Sequence, residues 1–361
     1  LTFTAANWDT PQTVTVTGVN DGSVVDGNQT STVTISVNDG SSNDSFDPLA
    51  DKTVTVTTTD NDIPGFTVAE SGGSTSVNES GTTDTFTVVL NAQPTSDVLL
   101  SLTASDATEA SVTSSLTFTP ANWNTAQTVT VTGLNESTVD GDQTSTITIS
   151  VVDAVSNDSF DPVADQTVTV STVDNDTAGF TIVQTGGSTS VSEAGTTDTF
   201  TIVLNAQPIS DVVLTVTSSD TGEATVNSPL TFTAANWNSA QTVTITGVDD
   251  NIIDGTITST ITIAVDDANS DNNFDPVANQ TVSATTVDDD AAGFTITQTG
   301  GSTGVAETGT TDTFTVVLNA QPASNVVLTV TSSDTGEATV NSPLTFTPAN
   351  WNTAQTVTVT G

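Results

Sequence analysis

The chain has 361 residues, of which 43 are Asp or Glu and one is basic, so that its formal net charge is −42; Cys and His are both absent. This charge excludes binding to nucleic acid and insertion into an anionic membrane surface, because cationic side chains that could neutralise phosphates are missing. Without Cys or His, the chain has neither disulfides nor the thiolate and imidazole ligands of zinc sites. Neutralisation of the carboxylates must therefore come from ions in solution.

The sequence repeats with a period of about 114 residues. Four tryptophans stand 115, 114 and 114 residues apart, each in a phrase of the form LTFTxANWxxxQTVTxTG, and the phrase GFT recurs at residues 65, 179 and 293. A period of this length is too long for a solenoid unit and matches a whole sandwich domain.

Strands are predicted by alternation of period two, as in residues 128–132, where Val faces a core and Thr faces water. Turn signals such as the phrase NAQP at residues 91–94 recur every 8–12 residues. For one repeat we predict strands near 65–69 together with 74–78, 83–91, 96–104, 111–119, 126–133, 143–152 and 166–173. The predicted fold class is all-β: tandem Ig-like antiparallel β-sandwich modules in an extended rod.

Acidic tripeptides at residues 60–62, 174–176 and 288–290 mark the predicted module boundaries. They divide the chain into the C-terminal part of a module (1–62), two complete modules (63–176 and 177–290) and the N-terminal part of a module (291–361). Residues 344–361 repeat residues 1–18, so the sequence starts and stops at one phase of the repeat. We therefore expect this sequence to be part of a longer array of repeats.

Acidic residues recur at matched positions of the repeats, in loops that a sandwich gathers at one end. The candidate metal ligands are Asp21, Asp26, Asp60 and Asp62; Glu79, Glu109, Asn135, Glu136, Asp140, Asp174 and Asp176; Glu193, Glu223, Asp249, Asp250, Asp254, Asp288, Asp289 and Asp290; and Glu307 and Glu337. Two carboxylates about 5 Å apart repel by roughly 3 kcal/mol at an effective dielectric constant of about 20. Oxygen ligands alone favour Ca²⁺ as the neutralising cofactor.

The ordered phrases Gly65-Phe66, Val77-Asn78-Glu79, LTF at 116–118, VTV at 129–131, Asn135-Glu136 with Asp140, and DND at 174–176 resemble the Calx-beta repeat of sodium–calcium exchangers and of bacterial surface and adhesion proteins. The resemblance implies that these acids bind Ca²⁺ at one end of the sandwich, beside the next module. Departures from the family pattern are Gln143 and Ile257, where Glu is common, and Asn135 and Asn175, where Asp ligands could stand. We therefore expect the 63–176 site to be weaker than the 177–290 site.

These features predict a structural extracellular array, the stalk or fibre of a bacterial surface adhesin or filament, in which Ca²⁺ stiffens the junctions between neighbouring modules. One alternative is a subunit that self-associates laterally into an extracellular filament, sheath or surface layer. Another is a Ca²⁺-sensing or glycan-binding module. No catalysis is expected, because His, Cys, Tyr and phosphate-binding loops are missing. The acids could also be a solvated surface that keeps β-edges apart.

Two further features have competing interpretations. The NDSFDP loops at residues 43–48 and 157–162, and the DNNFDP loop at 271–276, could form a second cation site. We favour a long hairpin loop whose phenylalanine is pinned to the core. The single Trp of each repeat could be a sugar-stacking platform, but we favour a lid on the core.

Overall fold

The computed structural model describes all 361 residues and is all-β. It divides into two compact units: the first comprises Leu1–Glu136 and Gly141–Asn175, and the second comprises Ser137–Asp140 and Asp176–Gly361. The model contains no helix with the length and apolar character needed to cross a membrane.

The first unit contains thirteen strands: β1 (Val24–Val25), β2 (Gln29–Ile35), β3 (Lys52–Thr58), β4 (Phe66–Glu70), β5 (Thr75–Asn78), β6 (Thr83–Leu90), β7 (Gln93–Pro94), β8 (Val98–Ala104), β9 (Ala110–Val112), β10 (Ser115–Phe118), β11 (Gln127–Gly133), β12 (Gln143–Val151) and β13 (Gln166–Val173). Its 3-10 turns are Asp39–Ser41, Asp44–Phe46, Ser71–Gly73, Asp153–Val155 and Asp158–Phe160.

The second unit contains seventeen strands: β14 (Phe180–Gln184), β15 (Thr189–Ser192), β16 (Thr197–Leu204), β17 (Val212–Ser218), β18 (Ala224–Val226), β19 (Leu230–Phe232), β20 (Gln241–Gly247), β21 (Ile252–Ile253), β22 (Ile257–Val265), β23 (Gln280–Val287), β24 (Phe294–Gln298), β25 (Thr311–Leu318), β26 (Gln321–Pro322), β27 (Val326–Leu328), β28 (Thr339–Val340), β29 (Leu344–Phe346) and β30 (Gln355–Thr360). Its 3-10 turns are Thr185–Gly187, Asp267–Asn269 and Thr299–Gly301.

Each complete repeat is a sandwich of a four-stranded and a five-stranded sheet. In the first unit the sheet orders are β4-β6-β11-β9 and β10-β8-β12-β13-β5, and in the second they are β14-β16-β20-β18 and β19-β17-β22-β23-β15. The pairs within these sheets are antiparallel, except that β5 runs parallel to β13 and β15 runs parallel to β23. The predicted all-β sandwich fold is therefore confirmed, with one parallel edge pair in each complete repeat.

Two predicted strand assignments need correction, because the chain changes sheets within them. Predicted strand 111–119 is two strands: the Thr113 amide donates to Thr130 in the four-stranded sheet, and the next carbonyl, of Ser114, accepts from Leu102 in the five-stranded sheet. The segments 65–69 and 74–78 likewise belong to opposite sheets. The turn between them places Gly72 and Gly73 at φ of 73° and 86°, a conformation that glycine adopts without strain.

Period-two alternation buries one face of each strand as predicted. In β11 the side chains of Val129 and Val131 are fully buried, while Thr128 and Thr130 are exposed. The phenylalanines Phe86, Phe118 and Phe160 fill the core of the 63–176 repeat, and Phe200, Phe232 and Phe274 fill that of the 177–290 repeat. The sandwich core thus follows directly from the Val, Ile and Phe positions of the sequence.

The interpretation of the NDSFDP loop and the tryptophan as parts of the core is confirmed in the complete repeats. Phe160 and Phe274 are fully buried, and Trp123 and Trp237 are partly buried against the two cores. Phe46, the counterpart in residues 1–62, is 57% exposed, because that segment has no counterpart of strands β4–β8 to cover it.

We predict that Phe274→Ala lowers the free energy of opening of the 177–290 sandwich by about 3–5 kcal/mol, because it leaves a cavity in a fully buried site. Amide hydrogen exchange of β22 and β23, followed by mass spectrometry, measures this loss. Phe46→Ala is the matched control, followed in β2 and β3 on either side of it, and should lower their free energy of opening by less than about 0.5 kcal/mol, since its ring is already exposed. Equal losses in the two variants would contradict the assignment of the loop phenylalanine to the core.

Candidate functional site

The carboxylates of the 177–290 repeat meet where two parallel strands end. Ser192, the last residue of β15, pairs with Val287, the last residue of β23, and the next amide, of Glu193, donates to the Val287 carbonyl at 3.1 Å. Because parallel strands leave a sheet at the same end, Glu193 and Asp288 emerge side by side. The parallel edge pair of the sandwich therefore positions the first two acids of the site.

Glu193 is shared by two groups of three carboxylates. One oxygen each from Glu193, Glu223 and Asp254 lie within 4.8 Å of one another, and the same holds for Glu193, Asp288 and Asp290. Calcium–oxygen distances are about 2.4 Å, so two ligands on opposite sides of one Ca²⁺ are about 4.8 Å apart. Both groups are therefore close enough to hold a cation of this size without a large rearrangement.

Two of these carboxylates are buried with unpaired oxygens. Glu193 is 1% exposed and Glu223 is 6% exposed. One oxygen of Glu223 and both oxygens of Glu193 lack a donor in hydrogen-bonding geometry, and the Asp289 amide is the one backbone donor that acts on Glu193. A buried acceptor left unpaired costs about 1–3 kcal/mol, and more when it is charged. The only basic side chain, Lys52, belongs to the first unit. A bound cation would remove this cost, so the donor set fits a Ca²⁺ site.

The pKa values of the acids show the same imbalance of charge. Burial and the nearby charge of Asp288 raise the pKa of Glu193 to about 7. Burial, followed by the charge of Asp254, raises the pKa of Glu223, and burial with the charge of Asp288 raises the pKa of Asp290. Amide donors, chiefly that of Gly255, lower the pKa of Asp288 instead. The cluster therefore holds one stabilised anion beside several carboxylates whose charge is disfavoured.

Backbone donors hold the loop acids in place. The Gly255 amide donates to one oxygen of Asp288 at 2.9 Å, and the Asp290 amide donates to the other at 2.8 Å. Asp250 accepts the Ile252 amide at 2.6 Å, which shapes the loop before Asp254. Asp249 and Asp289, also predicted as ligands, contribute charge near Asp290 but are outside the two groups of three.

Glycine at the end of β20 is a positioning residue that the sequence analysis missed. A Cβ on Gly247 would lie 2.1 Å from the Ser192 carbonyl oxygen, next to Glu193, and one on Gly133 would lie 2.2 Å from the Asn78 carbonyl oxygen, next to Glu79. Only glycine permits this close backbone approach. The recurring TG that ends the QTVTxTG phrase is the signal that could have indicated it.

The first unit places its predicted ligands in two similar clusters. Asp60 accepts the amides of Asp26, Gly27 and Asp62. Burial, with the charges of Asp60, Asp21 and Asp26, raises the pKa of Asp62. All four acids predicted in residues 1–62 therefore lie close together.

In the 63–176 repeat, an oxygen of Glu79 lies within 4.8 Å of oxygens from both Asp174 and Glu136. Glu109 is buried, and the Asn175 side-chain amide donates to the side-chain oxygen of Asn135 at 3.2 Å. Asp142, which the sequence analysis missed, accepts the amide of Asp174. The other two predicted ligands, Asp140 and Asp176, belong to the second unit.

In the last segment the structure brings the two predicted acids, Glu307 and Glu337, to one shallow cleft that Gly361 also lines.

Comparisons with known proteins show similarity only among solved structures. No family model matches the sequence, and no curated protein matches it. The crystal structure of the calcium-binding domain CBD12 of CALX1.1 is 12% identical, covers 62% of this chain and 99% of its own, and has a TM-score of 0.26. The CBD12 structure from CALX1.2 is 11% identical, covers 60% of this chain and 99% of its own, and has a TM-score of 0.24.

A third similar structure is that of surface layer protein SbsC, domains 4–9. It is 20% identical and has a TM-score of 0.22; the match covers 70% of this chain and 35% of that one. At these identities and TM-scores none of the three likenesses assigns a function.

We predict that Gly247→Ala weakens Ca²⁺ binding to the 177–290 cluster by about tenfold or more, because the new Cβ must push the Ser192–Glu193 backbone away from the other acids. Gly304→Ala is the matched control, since a Cβ there would meet nothing within 4 Å and its φ is not positive. Isothermal titration calorimetry measures both variants. Unchanged affinity in Gly247→Ala would contradict the positioning role.

We also predict that the stability of the 177–290 repeat depends on pH in Ca²⁺-free buffer. The folded-state pKa of Glu193, about 7, is above its ordinary value of 4.5. Its contribution to stability is therefore fully present below pH 4.5 and is lost as the pH rises through 7. The midpoint of thermal unfolding of the 177–290 repeat should fall between pH 5 and pH 8, and Glu193→Gln should flatten that fall. A midpoint that rises over this range in the unsubstituted chain would contradict the assignment.

Proposed function

We propose that this chain is a non-catalytic structural array of an extracellular surface, whose sandwich repeats bind Ca²⁺ at their carboxylate ends. The observation that carries the proposal is the burial of Glu193 and Glu223 with carboxylate oxygens that lack donors in hydrogen-bonding geometry. A solvated acidic surface does not account for buried carboxylates, whereas a site for a hard cation does. The oxygen-only donor set fits Ca²⁺ better than zinc or copper.

The recurrence of the cluster supports a structural role over a catalytic one. Acids stand at the same phase in the 1–62, 63–176 and 177–290 segments, next to the start of the following repeat. A cation at each of these places would neutralise the mutual repulsion of the strand ends and stabilise the loops that lead into the next repeat. The order of phrases resembling Calx-beta repeats, and a composition without Cys, agree with a bacterial surface stalk or fibre.

The test is thermal unfolding with and without Ca²⁺ at constant ionic strength. Binding to the native state alone raises stability by about 2.7 kcal/mol at a free Ca²⁺ concentration one hundred times the dissociation constant. We predict that Ca²⁺ raises the unfolding midpoint, and that Glu193→Gln combined with Glu223→Gln removes this response in the 177–290 repeat while raising its stability in chelator.

Asp211→Asn is the control for lost charge. It removes one negative charge, against two in the double variant, and stands before the start of β17, whereas Glu223 follows its end; the strand between them is about 23 Å long. This variant should respond to Ca²⁺ as the unsubstituted chain does. The proposal fails if chelator leaves the midpoint unchanged, or if Na⁺ at equal ionic strength produces the same stabilisation.

A further inference from the structure

The NAQP phrase, a predicted turn, has a second role in the structure. Its central residues form an edge that is the same in three repeats: Ala92, Ala206 and Ala320 are buried, Pro94, Pro208 and Pro322 are buried, and the glutamine between them presents its backbone amide. We call residues 92–94, 206–208 and 320–322 the acceptor edges. A turn that served only to reverse the chain would not need two buried residues around an amide donor.

Each acceptor edge binds a short extended segment that comes from the loop after the QTVTxTG strand, about 70 residues earlier in the sequence. The docking segments are residues 23–25, 137–139 and 251–253. The amides of Gln93, Gln207 and Gln321 donate to the carbonyls of Ser23, Ser137 and Asn251 at 2.7, 2.6 and 2.6 Å. The pairing is parallel in all three copies.

The docking segment also contributes a side chain to the core on which it lies. Val25 is buried in the core of the 63–176 repeat, and Val139 is 8% exposed in the core of the 177–290 repeat. The amide of Val139 donates to the Gln207 carbonyl at 2.9 Å, and the Asn273 side chain donates to the Val139 carbonyl at 2.6 Å. Val139 is thus held by backbone pairing, by a side-chain donor and by apolar packing.

We propose that the acceptor edge is a dedicated binding site for the docking segment of the preceding repeat, and that this contact couples the folding of neighbouring repeats. Each of the two complete repeats then completes its core with a side chain that lies before its own first strand in the sequence. The stability of such an array is approximately the sum of the folding free energies of the individual repeats and the free energies of the contacts between adjacent repeats. The contact is made by backbone pairing, by the Asn273 side-chain amide and by apolar packing, and none of these groups is a carboxylate. The docking segment stands between the candidate ligands Glu136 and Asp140, so the test below is made without Ca²⁺.

The test is amide hydrogen exchange of the full chain in Ca²⁺-free buffer. Val139→Ser should reduce protection in β16, β17 and β22 by about tenfold, which corresponds to roughly 1.4 kcal/mol. Because a coupling free energy is reciprocal, it should also reduce protection in β11 and β12 of the preceding repeat. Val139→Thr keeps the shape of the side chain and should reduce protection in the same strands by a smaller factor. Val155→Ser is the control, because Val155 is 63% exposed, and it should change neither set of strands.

The outcomes separate this proposal from that of Ca²⁺ binding. Exchange that changes only within residues 134–142, or only in β16, β17 and β22, would overturn the coupling. So would a Val139→Ser effect that occurs with Ca²⁺ and vanishes without it, because docking would then depend on the cation. If Ca²⁺ stabilises no variant while the Val139→Ser pattern remains, the coupling stands and the proposed Ca²⁺ binding fails.

Discussion

Repulsion among carboxylates at the ends of strands is the constraint on which the rest of this structure depends. The chain has 43 acidic residues and a single basic one, so that attraction between side chains can neutralise almost none of them. Many of these acids are exposed or half-buried, where water and salt screen their charge. Glu193 and Glu223 are not, and their burial beside Asp288 and Asp254 raises their pKa values above the ordinary range.

The fold creates this concentration of charge through its topology. Since β15 is parallel to β23, the loop that follows each of them leaves the sheet at the same point, and the close approach at Gly247 brings the β20 backbone against Ser192. The Glu193 backbone is held at this point by the hydrogen bond from its amide to the Val287 carbonyl. A cation is the direct way to stabilise that arrangement at neutral pH.

The sequence predicted those features that depend on local pattern. Alternation of Val and Thr predicted which face of β11 is buried, and the repeated NDSFDP phrase predicted that Phe160 packs in the core. The recurring acids predicted the members of the cluster, including Glu193 and Glu223, because their types and phase are visible without a structure. Their burial was not predictable, since it depends on how the sheets close over the loop.

Features that depend on pairing between distant segments could not be predicted. The parallel pairing of β5 with β13 and the change of sheet after Thr113 join residues whose local pattern is ordinary for an antiparallel strand. The NAQP phrase has the composition of a turn, and nothing within it indicates that Gln207 pairs with Ser137 of the preceding repeat. Gly247 is one of 24 glycines, and only the position of the Ser192 carbonyl shows why this glycine cannot be replaced.

X-ray diffraction from crystals of the full chain grown with Ca²⁺, recorded at a wavelength where calcium scatters anomalously, tests the central claim most directly. The account predicts an anomalous peak about 2.3–2.6 Å from carboxylate oxygens of Glu193 and its neighbours Glu223 or Asp288. Crystals of the Glu193→Gln, Glu223→Gln variant grown in the same way should lack it. A cluster without a peak at millimolar Ca²⁺, with Glu193 still buried and its oxygens bonded to water or to protein donors, would contradict the account.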